Sequence, residues 1–150
     1  MSFDEDELFD CYIKNISSSK MLQESRTLQV YAKLSEKYKL ALATNGIGKI
    51  QRCRISDFMP YTYKTYISEE IGCIKPSKEF FEYIIRDLQC NPGDCLMVGD
   101  SITNDMAGAK AIGMDACFYN VKNKKKPDTV IVNYEIEIYI FVSVYKLILH

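Results

Sequence analysis

Apolar positions along the chain recur with two periods, one near 3.6 and one near 2. Phe3, Leu8, Phe9, Tyr12, Ile13 and Ile16 follow helical spacing behind an acidic first turn, and Leu28, Val30, Tyr31, Leu34 and Tyr38 do so again over residues 27–38. Residues 40–43 form a short apolar strand closed by Thr44-Asn45-Gly46, and residues 48–55 begin another helix. Residues 63–67 alternate aromatic and polar side chains as a strand does, whereas Phe80, Phe81, Ile84, Ile85 and Leu88 draw the buried stripe of a helix over 78–88. Asn91-Pro92-Gly93-Asp94 is a turn. Beyond it the pattern predicts a strand at 95–98, an Ala- and Gly-rich helix at 104–112 stopped by Gly113, and strands at 116–119 and 129–132. Residues 136–149 are apolar almost throughout, but the run is too short for a membrane span and is broken by Glu137, Ser143 and Lys146, so it reads as a docked helix or strand. Helices alternating with strands predict an α/β fold, a parallel sheet flanked by helices.

Length and composition narrow the chemistry more than the fold. The 150 residues are the size of one domain, with 47% hydrophobic and 26% charged residues. A net charge of −1 gives no global field for nucleic acid or an anionic membrane. The one basic run, 122–126, reads as a solvated loop, and the acidic start MSFDEDELFD does not resemble a signal peptide, so a cytoplasmic location is expected. The six cysteines form no Cys-x-x-Cys pair and read as reduced structural thiols. His150 is the only histidine, which excludes histidine-activated nucleophiles and histidine metal sites. Carboxylates, hydroxyls and lysine remain.

Three stretches at strand ends carry those groups. In ALATNG, the Thr44 hydroxyl, the Asn45 side chain and the Gly46 amide can converge on an anionic oxygen, or form a turn and nothing more. In GCIKPSKEF, Lys75 stands just before a helix, where an ammonium can neutralise a phosphate or carboxylate or simply face solvent. In VGDSITND, Asp100 and Asp105 are hard oxygen ligands suited to Mg²⁺, and are equally suited to capping the helix that follows.

Taken in order, Thr44 in ALATNG, Lys75 in IKP and the Asp100/Asp105 pair in GDSITND resemble the second, third and fourth motifs of the haloacid dehalogenase (HAD) superfamily of phosphohydrolases, over about residues 28–134. YKLALATNG and GDSITNDMAGAKAIGM are most similar to the pyrimidine 5′-nucleotidase-like subgroup. The resemblance implies a Rossmann-like core that hydrolyses small phosphate monoesters, such as nucleoside monophosphates, through an aspartyl-phosphate with Mg²⁺ as cofactor. It implies a metal site at Asp100 and Asp105, with Asp105 orienting the metal's water or Lys75. Thr44, Asn45, Gly46 and Lys75 would hold the phosphate, and Thr44, Lys75 and Asp105 form the expected catalytic set. The expected partner is a small phosphorylated substrate.

The family's first motif, Asp-x-Asp-x-Thr after an apolar strand, supplies the nucleophile. Ahead of ALATNG this sequence has only Asp4-Glu5-Asp6, followed by Glu7-Leu8 where a small turn and Thr would stand. Residues 1–22 instead resemble the last helix of the family's cap, with 23–150 as the HAD-like core, so the expectation is an N-terminally truncated member. In the family the first strand lies between the strands ending here at Thr44 and Gly99. Its loss would leave those strands to pair with each other, to take a strand by self-association or from a complementing chain, or to be marginally stable. The alternative function is accordingly a non-catalytic or incomplete fragment that retains a phosphate and metal pocket.

Overall fold

Two hydrophobic faces of one strand organise the molecule. The computed structural model describes residues 25–120, 126–127, 131–136 and 146–149. In β1 (Lys39–Thr44), Leu40 and Leu42 bury against Tyr31, Ile55 and Phe58. Ala41 and Ala43 face the other way, toward Phe80, Phe81, Met97 and Phe118. The side-chain period of 2 thus serves a sheet covered on both faces. One cover is α1 (Ser25–Ser35), with α2 (Gly48–Arg54) and the 3₁₀ turn Ser56–Tyr61; the other is α4 (Lys78–Leu88) with α5 (Ala107–Ala111). A short α3 (Ser68–Ile71) follows β2 (Lys64–Ile67) directly.

Local chemistry sets the helix bounds. The Ser77 hydroxyl accepts from the Phe80 amide, the Phe80/Phe81/Ile84 stripe is fully buried, and Gln89 ends α4 in a left-handed conformation with φ 54°. α5 approaches closely because Gly108 has no Cβ; one added there would run into the Phe81 ring. Expected strands and helices within 27–119 all form, with ends shifted by at most three residues. One difference has a clear cause. The helix expected from residue 104 begins earlier, as the wide π turn Ile102–Met106, because the Ser101 carbonyl accepts from both the Asp105 and the Met106 amides at 2.9 and 3.1 Å.

Among the described residues the sheet has six strands in the order β2-β1-β6-β3-β4-β5, where β3 is Cys95–Gly99, β4 Asp115–Tyr119, β5 Tyr134–Ile136 and β6 Lys146–Leu149. The pairs β1–β2, β3–β4 and β4–β5 are parallel. Of the strand expected at 129–132, residues 129–130 lie outside the described residues and 131–132 are not strand; the strand beside β4 is β5, starting at Tyr134. Asn133 fixes that start: its carboxamide oxygen accepts from the Ala116 amide and its nitrogen donates to Asp115. The position between β1 and β3 is taken by this chain's own β6, antiparallel to both, with Lys146 opposite Leu42 and Val98 and Leu149 opposite Lys39 and Cys95. The two flanking strands therefore pair with β6 and not with each other, and the apolar run at 136–149 is strand over the part described.

Several expectations lie outside the described residues: the helix at 3–16, the cap-like segment 1–22 with Asp4-Glu5-Asp6, residues 122–125 of the basic run, and His150. Among the described residues no helix is long and apolar enough to cross a membrane.

Candidate active site

The carboxyl ends of β1 and β3, the loop after α3 and the π turn converge on one buried lysine. Lys75 is 2% exposed, and its Nζ donates to the Ala43 carbonyl at 2.9 Å and to Asp105 Oδ1 at 2.7 Å. Asp105 is fully buried, and its Oδ2 accepts from the Ser101 amide at 3.1 Å. Burial pushes the Lys75 ammonium below the usual lysine range, opposed by the charge and hydrogen bond of Asp105 and the charge of Asp100. Burial likewise pushes the Asp105 carboxyl above the usual range, opposed by Lys75 and the Ser101 amide. The short contact and the added backbone partners keep the two groups a matched pair. Gly99 makes room for it, since a Cβ there would stand 2.7 Å from both Cβ and Cγ of Asp105.

The β1 turn is tied to the same lysine through the backbone. Asn45 Nδ2 donates to the Lys75 carbonyl at 3.0 Å while its Oδ1 accepts from the Lys75 amide at 2.9 Å. The Gly46 amide donates to Ser68 Oγ at 2.9 Å, with Gly46 at φ 143°, and the Thr44 hydroxyl donates to the Asn45 carbonyl at 3.3 Å. Thr44, Asn45, Gly46, Lys75 and Asp105 are thus linked in one network, while Asp100 stands half-buried at the end of β3. The Asn45 side chain and the Gly46 amide serve the architecture of the turn.

Ser68, buried at the start of α3, and the Ala43 carbonyl are members that sequence reasoning did not single out. Ser68 offers no motif; its place beside Gly46 comes from the parallel pairing of β1 with β2, which sets Thr44 opposite Ile67.

The donor set is oxygen throughout. Among the described residues no three or more His, Cys, Asp or Glu side chains cluster as a cage. Both Asp105 oxygens are engaged within the protein, and Asp100 is the carboxylate toward the sheet edge. One carboxylate with water and phosphate oxygens fits a hard ion such as Mg²⁺, which is commonly held that way. It does not fit a softer metal that needs imidazole or thiolate.

Comparison with known proteins follows the same lines. Residues 72–137 match the HAD-hydrolase-like family model. The chain is 34% identical over 106 residues to YfnB of Bacillus subtilis, named as a HAD-hydrolase, covering 69% of this chain and 45% of that one. It is 38% identical over 86 residues to the pyrimidine 5′-nucleotidase PynA of Streptococcus pneumoniae, covering 55% of this chain and 36% of that one. The crystal structure of YfnB bound to magnesium superposes with a TM-score of 0.81 at 28% identity, over 91% of this chain and 61% of that one. The chain spans less than half the length of these curated relatives.

Proposed function

Because the chain is a member of the HAD superfamily of hydrolases, we propose that it forms the phosphate- and metal-binding half of a Mg²⁺-dependent phosphatase for small phosphate monoesters, nucleoside monophosphates foremost. The observation that carries this reading is the buried Lys75, held by Asp105 and the Ala43 carbonyl one residue before Thr44. A fixed cation beside a hydroxyl at the carboxyl edge of a sheet suits a phosphoryl group, whose transfer is catalysed chiefly by positioning and charge stabilisation. In this reading Lys75 offsets negative charge on the phosphoryl oxygens, Thr44 donates to one of them, and Asp105 acts through Lys75 as a positioning residue. Asp100 would hold Mg²⁺, which when bound supplies further positive charge to the phosphate. The substrate class rests on the names of relatives such as PynA.

The test is release of inorganic phosphate from nucleoside monophosphates and an aryl phosphate by the purified chain with Mg²⁺. Activity lost in Asp100→Asn and Lys75→Met supports the reading; no turnover at any Mg²⁺ level overturns it for these 150 residues.

A second reading is favoured by β6, whose sequence KLIL places no carboxylate between β1 and β3. Under it the pocket binds phosphate without cleaving it and is completed by another segment that displaces β6 from between β1 and β3. A peptide carrying Asp-x-Asp-x-Thr after an apolar run should then raise the melting temperature, since a ligand of the native state stabilises it. An unchanged melting temperature with peptide in large excess counts against completion.

A further inference from the structure

Outside this network, two cysteines that sequence spacing leaves unpaired meet in space. Cys90 follows the left-handed end of α4, and Cys95 opens β3 after the turn through Asn91, Pro92, Gly93 and Asp94. Their sulfurs are 3.4 Å apart. The backbone holds each in place: the Cys90 amide donates to the Ile85 carbonyl at 3.3 Å, and Cys95 Sγ lies 3.4 Å from the Asn91 carbonyl. Cys95 is 3% exposed, whereas Cys90 is half-buried on the wall of an open cavity of about 410 Å³ with Arg86, Gln89 and Pro92.

We propose that Cys90 and Cys95 form an oxidisable dithiol that exchanges with low-molecular-weight disulfides, Cys90 as the entry sulfur and Cys95 as the resolving one. The two positions differ in the way such a pair requires. The cavity gives a small disulfide access to Cys90 alone. Cys95, buried behind it, is reached only by its neighbour, and burial together with the hydrogen bond and charge of Cys90 keeps the Cys95 thiol protonated well above the usual range. Cys90 gives up its proton and its sulfur attacks one sulfur of the small disulfide, forming a mixed disulfide and releasing one small thiolate. Cys95 then loses its proton and attacks Cys90 Sγ, releasing the second thiolate. Two protein thiols are oxidised to one disulfide, one small disulfide is reduced to two thiols, and the two protein protons end on the released thiolates. Forming the bond takes the sulfurs from 3.4 Å to the bonded distance of about 2.05 Å.

The experiment uses the full 150-residue chain, reduced and then equilibrated with oxidised glutathione, quenched in acid, alkylated and mapped by mass spectrometry. The expected product is an internal Cys90–Cys95 disulfide lighter by two hydrogens and reversed by dithiothreitol. Cys95→Ser should instead accumulate glutathione on Cys90, and Cys90→Ser should leave Cys95 unmodified. The wild-type map stands even if a variant fails to fold. Recovery of both cysteines as alkylated thiols from the wild type, or pairing of Cys90 chiefly with another cysteine, overturns the proposal.

Discussion

Lys75 Nζ lies 2.7 Å from Asp105 Oδ1 with both side chains withdrawn from solvent, so each charge depends on the other. Removing one partner leaves an uncompensated buried charge, at a cost of about 3–5 kcal/mol, whereas replacing both with apolar groups removes the desolvation penalty together with the attraction. Lys75→Met and Asp105→Leu should each lower the unfolding free energy from urea denaturation by that order, and the double variant by much less than their sum. Single variants within about 1 kcal/mol of the wild type would show that the pair is not a unit.

Gly99 is the contact point between β3 and this pair. Gly99→Ala sets a methyl against the Asp105 side chain and should cost about 1–3 kcal/mol, as overpacking commonly does. Gly93→Ala is the matched control: nothing lies within 4 Å of its added Cβ, so its urea midpoint should barely move. Equal effects at the two positions would contradict the close approach.

Burial pushes the Tyr31 phenol up to about 12 from 10.0, opposed by its hydrogen bond with Thr62. The folded pKa is the higher one, so the contribution is fully present below pH 10 and is lost as pH rises through about 12, because the unfolded chain releases its proton first. Two units correspond to roughly 2–3 kcal/mol. Denaturation curves across this window should show the wild type losing more stability than Tyr31→Phe; parallel losses would remove Tyr31 from the account.

Asn45 joins the β1 turn to the Lys75 backbone by a donor and an acceptor at once. Asn45→Ala should cost about 1–3 kcal/mol and speed hydrogen exchange at the Lys75 amide. Asn45→Asp keeps the acceptor and should preserve more of that protection. Unchanged exchange in Asn45→Ala would mean that the amide is protected by other means.

What the sequence revealed depended on how local the determinants were. The α4 stripe at Phe80, Phe81 and Ile84 and the Thr44-Asn45-Gly46 turn were legible because each is written within a few residues. The motifs around Lys75, Asp100 and Asp105 were legible as a set, since their order and spacing carry information that no single residue does. Part of the division of labour inside the set was hidden: the resemblance already tied Asp105 to Lys75, but that Asn45 serves the Lys75 backbone and that the Ser101 amide takes the second Asp105 oxygen are facts of three dimensions. That β5 begins at Tyr134, after Asn133 recognises the start of β4, rests on a contact invisible to periodicity. The place of Lys146–Leu149 was likewise hidden, because pairing partners so distant along the chain leave no local mark.

That distance bears on how the protein is made. Among the described strands, β2-β1 on one side and β3-β4-β5 on the other are joined through β6, which follows the other five in sequence. During synthesis the edges of β1 and β3 that face β6 lack this partner until 146–149 arrive, so these pairings form last among those described. Long-range pairing of this kind slows folding and exposes strand edges to other nascent copies. A ribosome stalled before Lys146 should therefore carry a chain far more prone to aggregate than the released protein.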